Sequence, residues 1–171
     1  MDDKRHILAI LVDNQPGVLS RIAGLFSGRG YNIESLCVAA TTDPNVSRLT
    51  MVTVGDDAIL EQIKKQLNKL INVIKVYNLT GTPYVQRELI LIKVKAKPDS
   101  RAEILRIVDI FRAKVVDVGQ EHYTIEVTGN EEKLKAIITM LQPLGIKEIA
   151  RTGAIALQRD AKPCKPEKKA E

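Results

Sequence analysis

Aromatic residues are scarce in this 171-residue sequence, which has four Tyr, two Phe and no Trp. Any core must therefore be filled by close-packed aliphatic side chains, and a surface for stacking nucleobases has little to build from. Cysteine is nearly absent: Cys37 and Cys164 stand in unrelated contexts and form no CxxC pair. That excludes a disulfide framework and points to a reduced, cytoplasmic protein. No apolar run approaches the roughly 20 residues of a membrane span, and the polar start MDDKRH lacks the apolar segment of a signal peptide. Charge of one sign is not concentrated anywhere. The net +5 arises from nine Lys/Arg against eight Asp/Glu in residues 1–80, twelve against ten in 84–157, and five against three from Gln158 onward. Such a spread describes a solvated surface, without the basic face that phosphate binding uses.

Catalytic constellations are missing as well. His6 and His122 are isolated, with no Cys or carboxylate at metal-ligand spacing, and read as surface or strand-edge residues. The stretch GLFSGRG, residues 24–30, has no Gly-Lys-Ser/Thr and is not a P-loop. Its Gly28-Arg29-Gly30 follows a helical pattern and lacks a third glycine, against a dinucleotide fingerprint. No catalytic residue and no metal site is expected in this chain.

What is present is an internal repeat. Arg48–Leu70 lies without a gap over His122–Leu144, with identities at Thr50/Thr124, Gly55/Gly129, Leu60/Leu134, Ile63/Ile137, Leu67/Leu141 and Leu70/Leu144. Each copy reads as a strand, a turn opening on Gly, an N-cap at Asp56 or Asn130, and a helix with apolar spacing on one face. Upstream, RHILAILV, Val18–Arg29 and NIESLCVAA supply strand, helix and strand; RELILIKVKA, Ser100–Phe111 and AKVVDVG do so in the second half. NVIKVYNL and IKEIARTGAIAL close the two halves with one strand each. The expected fold class is α+β, two tandem ferredoxin-like βαββαβ domains. Their expected bounds are 1–80 and 85–157, with a linker at 81–84 and a disordered tail at 158–171.

The two sheets should differ. Ile90, Ile92, Val94 and Ala96 alternate with Leu91, Lys93, Lys95 and Lys97, giving one buried and one largely wet face. ILAILV in the first half is apolar on both faces, so something besides its helices should cover the other: the second half, another copy, or a different protein. Aromatic scarcity argues against the RNA-recognition modules that share this plan, since neither RHILAILV nor RLTMVTV carries an aromatic residue and alternation turns Tyr123 inward.

After the first strand comes Asn14-Gln15-Pro16-Gly17. The helix behind it should start at Gly17 or Val18, with Leu19, Ile22, Ala23 and Phe26 facing inward, and its unpaired N–H groups suit a carboxylate. Gly17 lets a ligand approach the backbone, Pro16 stiffens the turn, and Asn14 sets an amide at its mouth. On residues alone, these features are weak and a plain chain reversal is the favoured reading.

The combination DNQPGVLSRIAGLFSGRGYNIESL, then SRLTMVTVGD, then LEQIKKQLNKLINVIKV resembles the ACT domain of the small regulatory subunits of acetolactate synthase (acetohydroxyacid synthase). The resemblance continues through VQRELILIKV and IARTGAIAL. It makes the first domain an ACT domain and implies an effector site for valine or another branched-chain amino acid between two ACT domains of a homodimer. Carried over by motif, Asn14, Gly17, Val18 and Leu19 come from one chain and Asn32 and Ile33 from the other, with Pro16 and Ser20 in support. The second copy has KPDS at the corresponding turn and should lack a site. The resemblance further implies a catalytic large subunit holding thiamine diphosphate, a divalent metal and FAD, activated by this chain and made sensitive to feedback inhibition. The alternative is a free-standing ACT sensor acting on another target.

Overall fold

The computed structural model describes residues 4–159. The first repeat runs β1 (Lys4–Asp13), α1 (Val18–Ser27), β2 (Ile33–Ala40), β3 (Val46–Gly55), α2 (Asp57–Leu67) and β4 (Val73–Asn78). The second runs β5 (Tyr84–Lys95), a 3-10 turn at Pro98–Ser100, α3 (Arg101–Ile110), β6 (Lys114–Val118), β7 (His122–Gly129), α4 (Glu131–Gly145) and β8 (Ile146–Arg151), and β9 (Ile155–Gln158) ends the described chain. Strand order is β2-β3-β1-β4 in one sheet and β6-β7-β5-β8 in the other, the same permutation twice. All of these pairings are antiparallel. Two tandem ferredoxin-like βαββαβ units are thus present.

The repeated caps work as their chemistry requires. Asp56 Oδ1 accepts from Ile59 N at 2.7 Å, and Asn130 Oδ1 accepts from Lys133 N at 3.1 Å. Each satisfies a helix N–H that has no intrahelical partner. In the first unit Leu8, Ile10 and Val12 of β1 pack with Ile22 and Phe26 of α1 and with Leu60, Ile63 and Leu67 of α2. In the second, Ile90, Ile92 and Val94 pack with Ile104, Ile107, Leu134, Ile137 and Leu141. Tyr123 belongs to that second core, facing inward.

The described residues separate into two compact units, 4–85 with 154–159, and Gln86–Gly153. The segment IARTGAIAL, read from sequence as part of one closing strand of the second half, is instead broken. Gly153 takes φ 81°, a left-handed conformation that a glycine adopts at little cost. Beyond it the chain returns to the first unit. There Ala154 and Ala156, 1% and 3% exposed, pack on Ile7, Ala9, Val52 and Leu79. Ala154 N donates to Ser35 Oγ at 3.1 Å, Arg48 Nη2 donates to Ala156 O at 3.0 Å, and Arg159 N donates to Pro83 O at 2.8 Å. The doubly apolar β1 is therefore covered, in part, by the C-terminal end of its own unit. Gln158 closes β9, so the tail expected from residue 158 begins inside a strand; its remainder from residue 160, with Cys164, lies outside the described residues.

His6 departs from the expected surface position. It is 1% exposed, and its Nε2–H donates to Gly55 O at 3.0 Å. It shares the helix-covered face of β1 with Leu8 and Ile10, and the bond to a backbone carbonyl offsets part of the cost of burial, Nδ1 having no partner among the described residues.

Candidate functional site

Gly17 is the N-cap of α1 and has φ 84°, while the space where a Cβ would stand is open. Left-handed backbone there swings the chain from the end of β1 into the helix and leaves the first turn bare toward solvent. Gln15 N donates to Asp13 O at 3.0 Å and Val18 N reaches Gln15 O at 3.4 Å. The N–H groups of Gly17, Leu19 and Ser20 have no acceptor among the described residues. They sit at the positive end of the helix dipole.

Asn14 is fixed on its donor side. Its backbone N donates to Asn45 O at 2.7 Å, and its Nδ2 donates to Pro44 O at 2.8 Å, both in the loop between β2 and β3. Its Oδ1 has no protein donor among the described residues and remains an exposed acceptor beside the turn. Pro16 and Ser20 are exposed on the same segment.

The side chains on α1 are phased differently from the sequence expectation. Val18, 5% exposed, joins Ile22 and Phe26 on the inward face, whereas Leu19 is 43% exposed. The core takes the stripe at 18, 22 and 26, and Leu19 lies about 100° away from Val18 around the axis. Val18 thus contributes backbone to the turn and its side chain to the core, while Leu19 is the branched apolar group at the mouth.

Asn32 and Ile33 lie elsewhere. Ile33 pairs with Thr53 of β3, and Asn32 O accepts from Thr53 Oγ1 at 2.7 Å. Asp13, just before Asn14, pairs with Val46. Seven residues of β3 separate those positions, roughly 23 Å at the rise of an extended strand. In one chain the two groups of residues therefore stand at opposite ends of α1 and of the sheet, and they do not form a single site. Asn32 is exposed, and Ile33 is half-buried against the first core.

Sequence reading missed what holds the turn. Asp13 N donates to Asn72 O at 2.9 Å, Asn72 Nδ2 donates to Asp13 Oδ2 at 3.1 Å, and Arg21 Nη1 donates to Asn72 Oδ1 at 2.8 Å. A single Asn before a strand carries no pattern by which this could be recognised. In the second unit Lys97 precedes the 3-10 turn at Pro98–Ser100, and Ser100, before α3, takes right-handed φ and ψ. No left-handed glycine opens that helix, and the bare turn has no counterpart there. No group of three or more His, Cys, Asp or Glu side chains that could hold a metal occurs among the described residues.

Comparison with known proteins places both halves. Residues 8–75 match the family described as the AHAS small subunit-like ACT domain, and residues 87–160 match the family described as the small subunit of acetolactate synthase. The chain belongs to the acetolactate synthase small subunit family. Across 159 residues it is 54% identical to the acetolactate synthase small subunit of Aquifex aeolicus, covering 92% of this chain and 82% of that protein. It is 52% identical over 158 residues to the probable acetolactate synthase small subunit of Archaeoglobus fulgidus, covering 92% and 99%. The crystal structure of the acetolactate synthase small subunit from Thermotoga maritima superposes with TM-score 0.84 at 42% identity, covering 91% of this chain and 98% of that one. Membership in this family makes the chain a regulatory small subunit with an ACT domain, partnered by the catalytic subunit of acetolactate synthase. No helix among the described residues is long and apolar enough to cross a membrane.

Proposed function

We propose that this chain raises the activity of its catalytic partner and makes it sensitive to feedback inhibition by valine or another branched-chain amino acid, bound between the ACT domains of two copies. The observation that carries this reading is the separation of the two residue groups. Asn14, Gly17 and Leu19 at one end of α1, and Asn32 and Ile33 at the other, can meet only across two chains.

The edge strand supports the meeting. β2 is an outer strand of its sheet, and Val38, Ala39 and Ala40 are exposed on it. An antiparallel, two-fold pairing of two β2 edges sets the Ile33 end of one copy beside the Ala40 end of the other. The Ala40 end leads through the loop at Pro44 and Asn45, which is bonded to Asn14. Two equivalent composite sites follow. In each, the N–H groups of Gly17, Leu19 and Ser20 receive the effector carboxylate. The Oδ1 atoms of Asn14 and of Asn32 from the second copy accept from its ammonium group, and Leu19 and Ile33 flank its side chain. Pro16 holds the turn. One methylene separates valine from leucine and isoleucine, worth roughly 1–3 kcal/mol, so graded cross-reactivity is expected.

Inhibition then requires that the effector-bound orientation of the two copies differ from the one the catalytic subunit favours, because a ligand shifts an equilibrium only by its differential affinity. Thiamine diphosphate, divalent metal and FAD belong to the catalytic subunit in this reading, and the setting is the cytoplasm. Calorimetric titration of the full chain with L-valine, alone and with the catalytic subunit, tests it. Saturable binding that Asn14→Ala weakens, together with valine inhibition of the reconstituted enzyme, is expected. Absence of binding in both forms overturns the effector site.

A further inference from the structure

The segment that carries one half of the proposed effector site is exposed on its outer side and tied at both ends to one distant side chain. Asn72 occupies the turn between α2 and β4. On the strand side its Nδ2 donates to Asp13 Oδ2 at 3.1 Å and its backbone O accepts from Asp13 N at 2.9 Å. On the helix side its Oδ1 accepts from Arg21 Nη1 at 2.8 Å. Asp13 ends β1 and Arg21 lies in the first turn of α1, so these contacts bracket the residues from Asn14 to Ser20.

We propose that Asn72 is a positioning residue for amino-acid binding: its carboxamide, bridging the carboxylate of Asp13 and the guanidinium of Arg21, holds the turn in the form that presents the Gly17, Leu19 and Ser20 N–H groups together. The role rests on the effector reading above. The chemistry demands a carboxamide. The group facing Asp13 must donate and the group facing Arg21 must accept, and Asn offers both within one planar unit. The opposite charges of its neighbours also fix which way the amide points. An Asp at this position would face Asp13 with a second carboxylate and lose the donor, while an Ala would release both ends. Besides Asn72 and the first bond of the helix itself, the turn has two bonds within itself and those of Asn14 to Pro44 and Asn45, none of which reaches the helix beyond Val18, and whatever order the protein does not supply is lost from the binding free energy when the ligand must impose it.

A charge exchange tests this in the full chain. Asn72→Asp is compared with the double variant Asp13→Asn/Asn72→Asp, in which the donor and acceptor trade places and Arg21 keeps an acceptor. Amide exchange of the bonded N–H groups of the segment, those of Asn14, Gln15, Val18 and Arg21, without ligand, L-valine affinity by calorimetry and the melting temperature are measured on each. Expected for Asn72→Asp is faster exchange confined to that segment and a Kd raised about tenfold, the scale of one lost charge-assisted hydrogen bond. The double variant should return both toward wild type. Ile137→Val, in the core of the second unit, serves as a control that lowers the melting temperature and leaves Kd unchanged. If Asn72→Asp does not fold, Asn72→Ala and Arg21→Ala replace it, and combining them should cost affinity no more than Asn72→Ala alone. The proposal is overturned if exchange or Kd in the Asn72 variants stays within twofold of wild type, if the exchange of residues restores neither, or if the control raises Kd as much. Failure of the wild-type chain to bind valine both alone and with the catalytic subunit overturns the effector reading itself; the ligand-free exchange then still decides whether Asn72 orders the turn.

Discussion

Ser35 Oγ accepts the backbone N–H of Ala154 at 3.1 Å, joining the edge strand of the ACT domain to a residue 119 positions away in the sequence. Two small side chains, Ala154 and Ala156, let the returning chain lie close on β1 and β3. A larger residue has no room at that depth. Ala156→Leu should destabilise the first unit by about 1–3 kcal/mol through overpacking. Urea unfolding of the full chain, followed by amide exchange in β1 and β3, measures it. Unchanged protection there would mean the strap does not contribute to the fold of the sheet.

At Gly17 two effects are separable. The open space around it accommodates a methyl group, but φ 84° strains any L-residue, so Gly17→Ala should cost about 1 kcal/mol of stability. Gly17→Asp adds a negative charge where the effector carboxylate docks in the proposed site. Valine affinity should fall at least about tenfold further in Gly17→Asp than in Gly17→Ala, and the excess should shrink as salt rises. Equal affinities of the two variants by calorimetry would remove the carboxylate from this turn.

Val38 is 44% exposed on the outer strand of the first sheet. Placing a carboxylate there, in Val38→Asp, sets two like charges near the axis of a β2–β2 pairing. Monomers should replace dimers at micromolar concentration, and valine binding should vanish with them, because each proposed site draws residues from both copies. Analytical ultracentrifugation with and without valine provides the check; a dimer that persists and binds normally would place the contact on another surface.

In the second unit Glu88, 6% exposed, accepts from Arg151 Nε at 2.8 Å and Nη2 at 2.7 Å. The Glu88 hydrogen bond is the main cause holding the Arg151 pKa above its ordinary value, opposed by desolvation and aided by the charges of Glu88 and Glu131. A raised basic pKa contributes stability that is complete below the unfolded value and is lost only as pH climbs through the folded one, in this case in strong alkali. Arg151→Ala should therefore cost about 1–2 kcal/mol, a figure reduced for the half-exposed arginine side chain. The gap from wild type should stay flat from neutral to moderately alkaline pH in denaturant titrations. A gap that closes over that range would show that another group governs the pair.

How much of this was legible beforehand depended on range. The repeat, both N-caps and the four-strand, two-helix plan of each unit rest on signals within a few residues, namely helical spacing at Leu60, Ile63 and Leu67 and a side-chain acceptor at Asp56 or Asn130. Leu19 was misplaced because Val18-Leu19 and Ile22-Ala23 offer two adjacent apolar stripes about 100° apart, and only packing selects the one through Val18, Ile22 and Phe26. His6 was misplaced because a strand apolar on both faces hides which face lies under the helices. Asn72 was invisible because its partners, Asp13 and Arg21, are near one another in sequence but far from it.

The sequence alone determined the family, the two ferredoxin-like units and the turn at Asn14–Gly17, because periodicity, capping and a glycine at a strand-to-helix junction are local chemistry. Only tertiary structure decided that Ala154 and Ala156 return to cover β1, that Asn72 spans the ends of the turn, and that Asn14 and Asn32 lie at opposite ends of the first sheet within one chain. Each of those depends on strand register and on a left-handed residue, Gly17 or Gly153, that redirects the backbone. Such long-range placement is set by which apolar faces can be buried together, a property of the packed chain as a whole.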